Sequence, residues 1–454
     1  MKRILIFVII LMMRCQLSFA RSKKISREGD LNPANYISTV HANVKAATIT
    51  HKTAKDRLYS ISKLGGGYYL DTIRLSGDVS NASVSNGLVG SDGSMGVDVF
   101  KVLYHESFNK NYLYVASKHD LTRIELNSIS GKSKSVSNEI QHVDKVIIDI
   151  QIYDNYLVLL EKNESGAGGE LTIYEIQRPG NLTKTISLVL DYVPHKMLVS
   201  PLEYGDIYVQ GDRDVYAYTF SSNNTLMLTQ ANTTRLKKSE NVIDFDVKYH
   251  VDELTINKQP SIRWRTVYAL VKDMDPNTSN IRNYVDLYPS EKFKHSDEYR
   301  SYLMPGSNHM YVGQGEYDKE LIFVSYPSMY ALFMTGGIVT GAVTADGADS
   351  SDYTPPDDSV DGDVVKDSDK YSVTVDDTNP GNYVSLDGSI TSVKQLNKNV
   401  IFILTNRFTL VVNLIQGHFY EFSHTPKPLK MVFGGEKSNY EAIIYDNKME
   451  LYTA

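Results

Sequence analysis

The stretch that decides the fold is Asn111–Leu126, NYLYVASKHDLTRIEL. Two apolar runs of strand length flank a short polar turn, Ser117-Lys118-His119-Asp120. Tyr, Val, Ile and Thr in such runs suit a pleated, half-buried surface, and the turn residues tolerate the tight reversal between them. The stretch therefore predicts a β-hairpin.

Working outward, the same design recurs in pattern rather than in letters. Residues 57–75 read RLYSISKLGGGYYLDTIRL, 155–176 NYLVLLEKNESGAGGELTIYEI, and 206–220 DIYVQGDRDVYAYTF. Residues 264–288 carry the longer pair TVYALVK and NYVDLY, 319–334 read KELIFVSYPSMYALFM, 399–414 NVIFILTNRFTLVVNL, and 439–452 NYEAIIYDNKMELY. The starts are spaced roughly 40 to 60 residues apart, with one wider gap of about 80, which is the span of a supersecondary repeat. A further β-like run precedes most hairpins, as in VKAATITH (44–51), VDVFKVLYH (97–105), VDKVIIDIQI (143–152), VIDFDV (242–247), ITSVKQL (390–396) and LKMVF (429–433). A less regular run follows several, clearest at 184–193, 225–229 and 418–423. Three or four strands per unit make the blade of a β-propeller. Apolar runs as continuous as YLYVAS and VIFILT read as strands covered on both faces, which stacked blades provide. The predicted fold class is thus all-β, a β-propeller of eight blades, or of seven if the first or fifth unit is an irregular excursion. The last unit ends after its third strand, so YISTVHA (36–42) is expected to supply the fourth and close the ring, removing exposed sheet edges.

The 454-residue chain begins MKR, continues with the apolar run ILIFVIILMM (4–13), and reaches Ser18-Phe19-Ala20. A basic start, a short apolar core and a small-x-small ending are the parts of a secretory signal. Residues 1–20 are expected to be cleaved and the protein to be secreted, leaving 21–454 as one propeller domain. The apolar run falls short of the roughly 20 residues that a membrane span needs. Cys15 is the single cysteine and lies within that leader, so the mature chain has no disulfide or thiolate site. A net charge of −7 argues against nucleic acid as a partner.

The wide gap in the repeat holds an acidic insertion at about 345–380, with eleven aspartates from Asp346 to Asp377 and only Lys366 and Lys370 opposing them. Its composition is that of a segment too polar to order itself. Asp357, Ser359, Asp361, Gly362 and Asp363 match positions one, three, five, six and seven of a calcium loop, where oxygen ligands alternate and Gly allows the sharp turn. Position twelve is Ser368 instead of a bidentate Glu. The segment reads first as a solvated acidic loop, with calcium through Asp357, Ser359, Asp361 and Asp363 as the metal reading and no other cofactor.

No other spacing carries chemistry. The eleven histidines form no metal pair, and there is no G-x-S-x-G elbow. Gly65-Gly66-Gly67 joins two strands and reads as a turn. His119-Asp120 sits in a hairpin turn and is expected to face solvent. Sequons at Asn81, Asn163, Asn181, Asn223, Asn232 and Asn277 suit a glycoprotein. Most of the 32 tyrosines fall in predicted strands and are expected to pack between blades, while Tyr311, Tyr326 and Tyr353 lie nearer turns, where a recognition face would be.

The whole pattern resembles the β-propeller superfold without resembling one family. The Gly-His and Trp-Asp marks of WD repeats are absent, and the cysteines of semaphorin- and Yellow-type extracellular propellers are missing. The expected function is that of a secreted, non-enzymatic binding or scaffold protein presenting a propeller face to an extracellular protein or glycan. The alternative is a metal-dependent hydrolase or lactonase with its site in the central channel, which requires acidic or His side chains from several blades to converge on one ion. A purely structural surface-coat component is a third possibility.

Overall fold

The structure is a computed structural model. It describes residues 26–30, 36–38, 43–50, 57–75 and most of 83–221, and beyond 221 the strands and little else; residues 1–25, 231–240, 336–370 and 373–384 lie outside the described part. The described residues form eight sheets of four or five strands. A single turn of helix, Asp92–Met95, joins the first sheet to the second. No helix among the described residues is long and apolar enough to cross a membrane.

Each expected hairpin forms the middle two strands of one sheet. The opening stretch becomes Lys110–Ala116 and Asp120–Leu126, flanked by Lys101–Ser107 and Ser133–Gln141. Cross-strand pairs run antiparallel without a slip from Asn111↔Leu126 to Ala116↔Leu121. The continuous apolar runs have the cause expected of them: Lys110–Ala116 is buried at every position after the first, because both faces are covered. The covering layers are the neighbouring sheets. Tyr59, Ile61 and Tyr68 of the first sheet pack against Leu113, Val115 and Ile124 of the second. Tyr112, Tyr114 and Leu121 pack in turn against Ile150, Leu157 and Leu159 of the third. Val158, Leu160 and Ile173 meet Ile207, Val209 and Tyr218 of the fourth, and the C-terminal sheet (Ala442, Ile444, Leu451) packs on the first (Val44, Leu58, Ile73).

The outermost strands are different. Ser133–Gln141 and Leu182–Leu190 are largely exposed at alternate positions, as strands with one wet face are. At the C-terminal end, Tyr36–Ser38 pairs antiparallel with Met449–Thr453, Tyr36 opposite Tyr452. A second N-terminal strand, Ser26–Asp30, adds parallel to the outer strand His418–Ser423 of the seventh sheet, a pairing that the polar letters SREGD do not announce. The acidic insertion falls within the sixth sheet, between its third strand Met329–Thr335 and its fourth, Ser385–Asp387. Of that insertion the structure describes only Tyr371–Ser372, which pairs parallel with Arg300–Leu303 of the fifth sheet.

Candidate functional site

First strands of neighbouring sheets lie side by side: those of the first and second, second and third, third and fourth, fifth and sixth, seventh and eighth, and eighth and first. In five of the eight sheets this strand carries a β-bulge within its first four residues, with Lys45, Ile148, Ile243, Thr391 or Leu429 as the extra residue. A bulge bends and twists the strand and interrupts its ladder. The residue that follows it in the third sheet is Asp149 and in the fifth Asp244. Each carboxylate accepts the next backbone N–H, from Ile150 or Phe245, at 2.8 Å. Each also accepts a lysine from the first position of the preceding sheet's first strand: Lys101 Nζ lies 2.6 Å from Asp149 and Lys196 Nζ 2.7 Å from Asp244.

The chain of polar contacts continues around the centre. Gln151 Nε2 donates to Asp149 at 3.2 Å and to the Met197 carbonyl at 2.9 Å, while its Oε1 accepts Val199 N–H at 3.1 Å. Asp244 Oδ2 accepts Met310 N–H of the sixth sheet at 3.0 Å. Lys430 of the eighth sheet donates to the Phe100 carbonyl, just before the second sheet, at 3.0 Å. These side chains staple the second sheet to the third, the third to the fourth, the fourth to the fifth and the fifth to the sixth.

A second constellation sits where the second and third sheets meet. Glu161 is fully buried within Tyr156–Asn163, and its Oε1 lies 2.9 Å from His142 Nε2. The approach lies off a hydrogen-bond line, and neither atom has another partner. Burial pushes the Glu161 carboxyl up to about 7 and the His142 imidazole down, so both groups favour their neutral forms. Glu170, opposite Glu161 in the sheet, is held by Lys145, by Ser187 and, at 3.0 Å, by Lys184. At the rim, His119 donates from Nδ1 to the Lys145 carbonyl at 2.7 Å and Glu164 receives Lys118 at 3.3 Å.

A carboxylic acid that keeps its proton near neutrality, beside a neutral imidazole, has the protonation properties of a general acid. Its setting is structural: the neighbouring charges are paired with one another, Lys145 and Lys184 with Glu170 within the third sheet and Lys118 with Glu164 across the junction. The cavity of about 430 Å³ lined by Leu70, Thr72, Leu88 and residues 132–136, between the outer parts of the first and second sheets, contains none of these groups. Among the described residues, no three His, Cys, Asp or Glu side chains are grouped to hold an ion.

The calcium-loop residues Asp357, Ser359, Asp361 and Asp363 lie outside the described residues, as do Tyr326, Tyr353 and four of the six sequons. His119, expected to face solvent, is instead only about a quarter exposed and clamped to the third sheet, because the hairpin turn of one sheet abuts the start of the next. Tyr68, Tyr112, Tyr114, Tyr218 and Tyr268 are buried between sheets. The Lys–Asp staples were not foreseen. Their signal in the sequence is a constant separation, 48 residues in both Lys101–Asp149 and Lys196–Asp244, which is the length of one repeat in this part of the chain.

No protein-family model matches the chain, and no curated protein matches it. Solved structures do. The chain is similar to the Dos1 propeller over 96% of each chain at 10% identity, with a TM-score of 0.52. It also aligns with the Neurospora crassa Pan2 WD40 domain over 94% of this chain and 97% of that one (6% identity, TM-score 0.43). A third match is the AfRom2 CNH domain, over 92% and 99% (9% identity, TM-score 0.41). The chain is a β-propeller; at this identity the likeness shows the fold and no particular family.

Proposed function

We propose that this protein is a secreted, non-enzymatic binding or scaffold protein that presents one end of its propeller to an extracellular protein or glycan. The observation that carries the reading is the engagement of the central carboxylates. Asp149 and Asp244, the carboxylates that follow the bulge in the first strands, each hold a lysine and a backbone N–H. The central strands thereby use their charges to hold the sheets together, and recognition falls to the loops, where propellers vary. Secretion rests on the leader at 1–20. The test is chemical cross-linking of the tagged full-length chain in conditioned medium, followed by mass spectrometry of what it captures. One saturable partner, released by the untagged protein, supports the reading. No partner, together with measured turnover of an ester or lactone that depends on added divalent metal, overturns it in favour of the hydrolase alternative.

A further inference from the structure

Two sequons fall among the described residues, and the structure treats them oppositely. Asn181 closes the tight turn after the third strand of the third sheet, where Gln177 N–H donates to its carbonyl at 2.9 Å. The turn is fixed from below: Gly180 lies on the Tyr112 ring at φ +96°, and Tyr114 donates its hydroxyl hydrogen to the Gly180 carbonyl at 2.8 Å. Arg123 of the second sheet donates to Asn181 Oδ1 at 2.6 Å. That guanidinium is itself held by Glu139 at 3.1 Å and Ser137 at 3.1 Å. A guanidinium only donates, so the amide oxygen must face inward and Nδ2 outward. Asn181 and Thr183 are exposed, and Asn181 Nδ2 has no partner among the described residues.

Asn163 is the reverse case. Its Nδ2 donates to the Ala167 carbonyl at 2.6 Å inside the 163–168 turn. Its backbone N–H donates to Gly168, and its carbonyl accepts Gly166 N–H at 3.0 Å. A carbonyl only accepts, so here the nitrogen is engaged within its own turn. The middle residue of this sequon, Glu164, is held by Lys118 at 3.3 Å.

We infer that Asn181 is an N-glycosylation site of the folded protein and that Asn163 is not. A sugar on Asn181 Nδ2 leaves the Arg123 bond to Oδ1 intact and projects into solvent. A sugar on Asn163 would have to be carried by a nitrogen already held against the Ala167 carbonyl, and would disturb the 163–168 turn. The inference rests on the proposed secretion, and it also orients the propeller. The glycan would stand over the end that carries the turns at 127–132 and 177–181.

The full chain with its own leader, and the same chain with residues 1–20 replaced by a foreign secretion signal, are expressed in a glycosylating eukaryotic host. Sites are read by release with a peptide N-glycosidase in heavy-oxygen water, which hydrolyses each glycosylated Asn to labelled Asp, and mass spectrometry. The expected result is that most molecules of the second form are occupied at Asn181 and almost none at Asn163. Thr183→Ala, which removes the sequon but keeps the Asn181 side chain, loses one glycan from the mobility shift, and Ser165→Ala loses none. Asn181 bare in the foreign-leader form, or Asn163 equally occupied in folded secreted protein, overturns the inference. Occupancy at Asn181 in the foreign-leader form alone overturns the secretion reading and leaves the site assignment standing.

Discussion

The central staples make a quantitative prediction at Asp244. Asp244→Ala removes the acceptor of Lys196 Nζ at 2.7 Å, of Phe245 N–H at 2.8 Å and of Met310 N–H at 3.0 Å. The ion pair itself is a modest part. Lys196 is about one-third exposed and keeps the Phe245 carbonyl at 2.6 Å, so losing the pair costs about 1 kcal/mol. The larger part is the two backbone N–H groups, both in buried hydrogen bonds, each costing roughly 1–3 kcal/mol when its acceptor is removed. The total is about 4 kcal/mol. For the 454-residue chain an unfolding entropy near 2.1 cal/mol/K per residue amounts to about 1 kcal/mol/K, so Tm should fall by about 4 °C. Asp244→Asn keeps one acceptor oxygen and should lose about half as much. Differential scanning calorimetry of the two variants and of Lys196→Met, alone and combined with Asp244→Ala, gives the coupling between the pair, expected near 1 kcal/mol. If Asp244→Ala melts within about 1 °C of the parent, or the two losses simply add, the stapling argument is wrong.

Three further outcomes follow from other parts of the molecule. Glu161 holds its proton to about pH 7 in the folded chain, against an ordinary value of 4.5; stability therefore falls as pH rises through that window, and Glu161→Gln should raise Tm on the order of 2 °C at pH 8 with the gain vanishing by pH 4.5. A gain independent of pH over that range would contradict the buried-acid reading; His142, whose imidazole is pushed down by burial, works in the opposite direction and is common to both chains. Deleting residues 21–43 removes the strand opposite Met449–Thr453 and should lower Tm and promote association through the bared edge; an unchanged melt and a monomeric elution profile would show that the strand does not close the ring. Calorimetric titration of the mature chain with calcium should give no saturable heat up to millimolar concentrations if the acidic insertion is a solvated loop, whereas a saturable heat lost in Asp361→Asn would assign the ion to Asp357, Ser359, Asp361 and Asp363.

The hairpins were legible because burial on both faces leaves an unmistakable trace: a strand such as Tyr156–Asn163, YLVLLEKN, has almost no polar letters until its end. The outer strands were harder for the converse reason. Ser133–Gln141 reads SKSVSNEIQ and Ser83–Ser91 reads SVSNGLVGS; with one face in water, most of their letters are those of loops. Ser26–Asp30 was invisible, since a parallel strand added at an edge draws on backbone hydrogen bonds and asks little of its side chains. The acid beside His142 was hidden differently. Glu161 stands at the end of an apolar run, where a reader expects a charge to turn toward water, and only the packing of the next sheet shows that it does not.

The bulge in the first strands separates what the repeat shares from what it leaves free. An extra residue recurs within the first four positions of the first strand in five sheets, so the bend it makes belongs to the architecture. The residue placed just after it does not recur: it is Ala46, Asp149, Asp244, Ser392 and Lys430 in turn. Where it is Asp, a lysine 48 residues earlier answers it; where it is Lys430, a backbone carbonyl does. The charge at this position is thus chosen to match the neighbouring sheet, and each choice is consumed by that match. A site built on the central strands would need such a charge left over. What differs between units without being consumed in this way lies in the connections: the Gln177–Asn181 turn with its outward amide, and the insertion between the third and fourth strands of the sixth sheet. Selectivity in the proposed binding function therefore belongs to the connections, with the strands setting only the spacing at which they are displayed.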